Sequence, residues 1–319
     1  MKRVLVILLV IMTLPALATT AQADLLHSFQ IQSRSANGMR ISFELPEYTI
    51  SQIEERGQTY QKIQLEGANS NAPTGMPELP FFSTTIAIPA TGNVELNLTT
   101  RAQDVAANYH PYPAQDMQAE SGESFSKNAA FYNSTEIYPA KVAALSEPMI
   151  LRDLRIITLQ VNPFVYDAGR QELVIRQKVD IDLRFTSAES INELPAEPQS
   201  LSPSFAKIYE SLILNFDDYR DLVMANTPPR YLIIYGNNTD NTFHDALDQY
   251  VLWKRQKGAD VDLASTASSE AGSSSTSIQA YIRNRYNNPA TRPDYVILLG
   301  DTSGSFTIPA FTYSSGGTD

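Results

Sequence analysis

A β-sandwich followed by an incomplete α/β domain with a parallel sheet is the fold class that the sequence predicts, and three observations predict it. Short segments of alternating polar and apolar residues, separated by turn formers, fill the chain from Asp24 to about Ser187. A polar, proline-rich passage follows. From Tyr231 onward the texture is strand, helix, strand, helix, strand, with continuous apolar runs for the strands.

The elements follow in order. Residues 1–23 read as a secretory signal peptide: Lys2 and Arg3, an apolar run from Val4 to Leu14, then Ala21-Gln22-Ala23 before the expected cleavage. That run is about half of the roughly 20 residues a bilayer needs, so a membrane anchor is the poorer reading. The mature chain has no further span, and the protein is expected to be secreted.

Residues 24–220 form the predicted β-rich domain. Arg40 to Leu45, Thr84 to Ile88, Val94 to Leu98, Leu154 to Val161, Glu172 to Ile175 and Val179 to Phe185 each put one face inward and the other in water. Pro77, Pro80, Pro89, Gly92, Pro139, Pro163 and Gly169 punctuate them. Thr186 to Ser204, with three glutamates and three prolines, reads as a linker or surface strap. Phe205, Ile208, Leu212 and Ile213 then recur at helical spacing. Asn226-Thr227-Pro228-Pro229 closes the passage.

Residues 228–319 form the start of the α/β domain. Tyr231 to Tyr235 is continuously apolar, as in a strand covered on both faces. Phe243, Leu247, Tyr250, Val251 and Lys254 make one helical stripe, stopped at Gly258. Trp253, the one tryptophan, reads as core on this helix. Val261 to Leu263 is a short strand, Ser273 to Ser277 a loop, Ser277 to Asn287 a helix and Tyr295 to Leu299 a third strand running into Gly300-Asp301. One edge of the sheet is left unpaired.

Composition removes several functions. The 319 residues carry 24 Lys and Arg against 35 Asp and Glu, a formal net charge of −11, which offers no basic footprint for nucleic acid. There is no cysteine, hence no disulfide, zinc–thiolate site or thiol nucleophile on this polypeptide. Gly236 lacks the G-x-G-x-x-G spacing of a dinucleotide site. Lys254, Arg255 and Lys257 read as a solvated face with helix C-terminal charge.

The series Trp253-Lys254-Arg255-Gln256-Lys257-Gly258, Ile278 to Asn284, Pro293-Asp294-Tyr295-Val296-Ile297-Leu298-Leu299-Gly300-Asp301 and Ile308-Pro309-Ala310 resembles the first subdomain of gingipain-type cysteine peptidases. Pro77-Glu78-Leu79-Pro80 before an Ile-x-Ile-Pro strand, and Val161 to Tyr166 before Gly169, resemble the propeptide of that family. The resemblance implies a secreted zymogen, in which a β-sandwich prodomain assists folding and blocks the cleft of a caspase-like catalytic domain acting on peptides or proteins. It also implies a cysteine and a histidine in a Gly-His-Gly turn. Neither is here: His27, His110 and His244 lie elsewhere, so the chain is expected to be inactive by itself and to be a truncated or split reading frame.

The resemblance carries three further expectations. Asp301, at the carboxyl edge of the sheet, and Asp319 are candidates to line the cleft or bind the calcium such enzymes often carry; the plainer role of Asp301 is a turn cap. Lys127, in the polar stretch Gly122 to Asn128, is the candidate to occupy a specificity pocket as an uncut plug, against the plainer role of a solvated loop lysine. The alternatives to a peptidase precursor are a stand-alone inhibitor or chaperone module and an extracellular adhesion protein.

Overall fold

The computed structural model describes residues 28–311 apart from 66, 67, 69, 117–124 and 225. The expected signal peptide, His27 and Asp319 lie outside the described residues. The chain divides into two units that interleave: Met1–Pro198 with Leu212–Phe216, and Gln199–Ser211 with Asp217–Asp319. The sequence alone suggested one continuous β-rich domain over 24–220.

In the first unit, β1 (Phe29–Ser35), β2 (Gly38–Glu44), β6 (Asn93–Ala107), β7 (Ile137–Tyr138), β11 (Phe164–Asp167) and β12 (Glu172–Thr186) form one antiparallel sheet. Its path is β1-β2-β12-β11-β7, with β6 along the other side of β12. A second sheet contains β5 (Phe82–Ile88), β8 (Ala143–Leu145), β9 (Met149–Leu151) and β10 (Leu154–Val161), while β3 (Thr49–Glu55) and β4 (Gln58–Gln64) make a separate hairpin. The alternation explains the core. Met39, Ile41 and Phe43 from β2 and Val179, Ile181 and Leu183 from β12 meet Phe82, Ile86 and Ile88 from β5 and Ile157, Leu159 and Val161 from β10 in one buried cluster. Two antiparallel sheets thus share a core.

Three expectations for this region need revision, and one short helix is added to them. Glu172 to Ile175 and Val179 to Phe185 are a single 15-residue strand, with the register against β6 shifting between Arg176 and Val179. A bulge absorbs the polar Arg176-Gln177-Lys178 that interrupts the apolar alternation. The strand starting at Val94 continues to Ala107 because β12 supplies it with a partner throughout. A short helix, α1 (Ala129–Tyr132), capped by Asn128, buries Phe131 against Tyr166 in a second cluster. Finally, the helical stripe at Phe205 is misplaced: in α2 (Pro203–Leu212) Tyr209 is buried, whereas Ile208 and Leu212 are exposed and Ile213 lies beyond the helix end.

In the second unit, β13 (Arg230–Tyr235) lies between β14 (Asp260–Ser265) and β15 (Tyr295–Leu299), all parallel. Leu232 and Ile234 face one cluster and Ile233 another, so the central strand is covered on both sides, as its continuous apolar run requires. Helix α3 (Asn241–Gln256) contributes Leu247 and Val251 to one face, and α4 (Ser275–Asn287) contributes Ile278 to the other. Gly258, at φ 82°, ends α3 as expected.

Two readings fail here. Trp253 is 46% exposed, with Tyr250 beside it and the Lys257 ammonium 4.3 Å from its ring. It sits two residues past Val251, about 200° around the helix from the buried stripe. The Ser-rich stretch is an ordered helix start: the Ser274 side chain accepts from Ser277 N, and Ser277 reciprocates in a capping box.

Candidate functional site at the carboxyl edge of the parallel sheet

The three parallel strands end at Tyr235, Ser265 and Leu299, and the open edge beyond them is where α/β sheets place ligands. Here the chain after β15 folds back over that edge. Asp301 N donates to Phe306 O at 3.0 Å and Ile308 N donates to Asp301 O at 2.7 Å. Thr266 ties the neighbouring strand ends together: its hydroxyl donates to Thr307 O at 3.2 Å and accepts from Asn237 N at 2.8 Å. The Phe306 ring stands 5.0 Å from that of Phe243.

This closure requires glycine. A Cβ at Gly236 would stand 2.2 Å from the Phe306 carbonyl carbon, and one at Gly300 would stand 2.2 Å from Phe306 O. Gly236→Ala is therefore expected to destabilise the second unit by about 2 kcal/mol through overpacking. The check is a lowered thermal midpoint for that unit. An unchanged midpoint would mean the 301–308 segment does not close on the strand end.

The candidate residues do not converge. The Asp301 carboxylate is exposed and accepts from Thr302 N at 2.6 Å, the geometry of a turn cap. Calcium needs six or more oxygen ligands, and among the described residues no group of three Asp, Glu or His comes together, so the residues described do not fit a calcium site at Asp301. His244, in the first turn of α3, meets Asn238 O through Nε2 at 3.0 Å and lies edge-on to Tyr235. His110 lies in the first unit, where its carbonyl accepts from Gln61 N at 2.7 Å.

Sequence inspection passed over Glu270. Its carboxylate accepts from Ser265 N at the end of β14, and the Ser265 N–H and hydroxyl together hold it below the usual carboxylate range. A depressed pKa means that this tie contributes above the ordinary carboxylate range and is lost as pH falls through the lowered value. The only signal in the sequence is a lone acid following Ser268 and Ser269.

Lys127 is not extended into solvent. Its ammonium lies 5.0 Å from the Tyr60 ring and 4.8 Å from the Tyr132 ring and donates to Gln58 Oε1 at 3.2 Å and Tyr60 Oη at 3.3 Å. Burial pushes the Tyr132 hydroxyl above its usual range, which keeps that ring neutral beside the cation.

A groove of about 420 Å³ runs between α4 and β15, lined by Ile278, Ile282, Leu298, Ile308 and Phe311. Val296, Leu298 and Leu299 on the edge strand β15 are 42, 52 and 37% exposed. Among the described residues no helix is long and apolar enough to cross a membrane.

The β-rich unit and the opening strands of the parallel α/β unit each fall under a known family profile. The family profile described as Propeptide_C25 matches residues 21–223, and that described as Peptidase family C25 matches 224–319. The chain belongs to the C25, gingipain-type, peptidase family and comprises its propeptide and the start of its peptidase domain. Among its relatives, Lys-gingipain HG66 of Porphyromonas gingivalis is 27% identical over 274 residues, covering 82% of this chain and 16% of the relative. Gingipain R1 of the same organism is 21% identical over 283 residues, covering 85% of this chain and 27% of the relative. This chain thus spans about a sixth to a quarter of the length of those relatives. A chain in the complex of Porphyromonas gingivalis RgpB pro- and mature domains superposes with a TM-score of 0.53 at 18% identity, over 60% of this chain and 97% of that one.

Proposed function

We propose that this chain is the N-terminal portion of a secreted gingipain-like cysteine endopeptidase zymogen: a β-sandwich prodomain that assists folding and blocks the cleft, joined to the first part of a caspase-like catalytic domain. The observation that carries it is the succession of two family matches, propeptide then peptidase, over residues 21–319. Two antiparallel sheets sharing one buried cluster support the sandwich. Three parallel strands with helices on both faces support the catalytic domain's beginning. The exposed apolar residues of β15 and the groove beside it support further polypeptide packing there. The basic, apolar and small-residue succession over 1–23 supports export.

With no cysteine in these 319 residues, the attacking thiolate and its histidine partner would come from other polypeptide, which would also supply the site for peptide substrates. What this portion does is bind and shield. Lys127 is the residue assigned here to the specificity pocket of the shielded peptidase, a role that needs its ammonium to leave Tyr60 and Tyr132. Loss of those contacts is affordable, because cation–π pairs at accessible sites contribute about 0.5–1 kcal/mol each.

The test adds the purified chain to the catalytic portion of a C25 relative and follows peptide hydrolysis. Inhibition that strengthens with chain concentration is expected; no inhibition and no help in refolding would favour an adhesion or structural role. In the same assay Lys127→Ala is expected to raise the inhibition constant at least tenfold. An unchanged constant would leave Lys127 as a tie within the first unit.

A further inference from the structure

The main chain is fastened on both sides of Lys127. The residue before it, Ser126, is held by one side chain: Ser126 N donates to Gln115 Oε1 at 2.8 Å, and Gln115 Nε2 donates to Ser126 O at 2.9 Å. The carboxamide thus acts as a backbone partner would, offering an acceptor and a donor to the same residue. Its nitrogen also donates to Pro113 O at 2.8 Å, which ties the pair to the neighbouring stretch. That stretch is itself anchored. Ala114 N donates to Met76 O at 2.8 Å, Glu78 N to Tyr112 O at 2.9 Å, and Tyr112 N to Gln61 O on β4 at 2.9 Å. On the far side of Lys127, Asn128 N donates to Gly75 O at 2.9 Å, and the Asn128 side chain caps α1 by accepting from Phe131 N. Before Ser126, the Phe125 ring lies 5.6 Å from that of Tyr60 and 5.9 Å from that of Tyr112.

A lysine on a slack loop is a substrate for a lysine-selective peptidase, because hydrolysis draws the backbone on both sides of the bond into the cleft. Cutting of a folded chain therefore follows the population of its locally opened form. Opening around Lys127 breaks the bonds at Ser126 and Asn128, whereas the ammonium leaves Tyr60 and Tyr132 by side-chain rotation alone. We propose that Gln115 is a positioning residue: it clasps the backbone before Lys127, so that this lysine meets a cation-accepting specificity pocket on a fixed main chain and resists being cut there. Ordering in advance also lowers the entropy lost when the side chain enters the pocket. The inference rests on the zymogen reading and deepens it, since it names what separates a plug from a substrate.

The experiment exposes the full chain to a lysine-specific endopeptidase of another family and follows the fragments by mass spectrometry, in the parent and in Gln115→Met. Methionine keeps the length of the side chain and removes its three hydrogen bonds. Cutting after Lys127 is expected to accelerate at least tenfold in the variant, while cutting after Lys62 and Lys141, in the same unit, stays within twofold. An unchanged rate after Lys127 would overturn the proposal, as would a rise at all three lysines together, which marks a general loss of stability. If Gln115→Met does not fold, as read from its thermal midpoint, Gln115→Glu takes its place; it keeps an acceptor for Ser126 N, loses both donated bonds and is held to the same outcomes. The clasp and the plug fail separately. An unchanged inhibition constant in Lys127→Ala removes the plug, whereas a cutting rate that ignores Gln115 removes the clasp and leaves the zymogen reading standing.

Discussion

Phe43→Ala is expected to lower the stability of the first unit by about 4 kcal/mol, within the range for truncating a fully buried phenylalanine. Phe43 is 0% exposed, its ring 5.2 Å from that of Phe29 and 5.1 Å, edge-on, from that of Phe82. Phe29 lies opposite it on β1 and Val179 opposite it on β12, so β2 is held by ladders on both sides. Phe82 belongs to the other sheet. A vacated ring volume there cannot be filled by backbone movement without breaking ladder hydrogen bonds, and the cavity persists. The check is the urea midpoint at unchanged slope, with Val105→Ala as the control. Val105, in the same unit, is 54% exposed and its truncation is expected to cost under about 1 kcal/mol. A loss below about 1 kcal/mol at Phe43 would mean that the two sheets do not share a core.

What could be read from the sequence divides along the same physical line. Where one period dominates, as in Leu154–Val161 or the apolar run inside Arg230–Tyr235, strand limits fall within a residue of the expectation, because burial on defined faces leaves one register. Pairing partners are another matter. The full length of β6 depends on β12 lying beside it, and nothing in Thr99 to Ala107 announces that neighbour. Side chains with both apolar bodies and polar tips are hard to place by period: Trp253, expected in the core, rests on the solvent side among lysines, while Tyr209, which the helical stripe did not include, is fully buried. At the carboxyl edge, Gly236 and Asp301 were visible as a strand end and a turn residue, but the return of Phe306 over both depends on tertiary closure. The contacts of Leu201 and Ser202 were hidden for a similar reason, since both sit in a polar passage whose partners lie at Val223 and Asp294.

Arg155→Met is the second large effect, expected to cost the first unit about 3 kcal/mol and to expose residues 187–198 to proteolysis. Arg155 belongs to β10 but is only 1% exposed, and its guanidinium donates to Pro89 O at 3.2 Å, Gly92 O at 2.8 Å and Ile191 O at 2.8 Å. Burial lowers its pKa and nearby Glu193 acts the other way, yet a guanidinium stays charged throughout the accessible pH range. The acidic passage that reads as a linker is thereby fastened. Glu193 accepts from Gly92 N and Glu197 from Ala90 N, each at 2.8 Å, and Leu194 N donates to Ala90 O at 2.9 Å. Methionine fills much of the arginine volume, so packing loss is small; what remains is the buried Gly92 carbonyl without its donor, costing about 1–3 kcal/mol, and the part-buried Pro89 and Ile191 carbonyls, whose loss costs less. Glu193→Gln keeps an acceptor for Gly92 N and is expected to cost under about 1 kcal/mol. Limited proteolysis separates the outcomes: early cutting within 187–198 in Arg155→Met, at a protease level that spares the parent chain, identifies the guanidinium as the clasp of this segment, whereas equal resistance would assign that task to the glutamates alone.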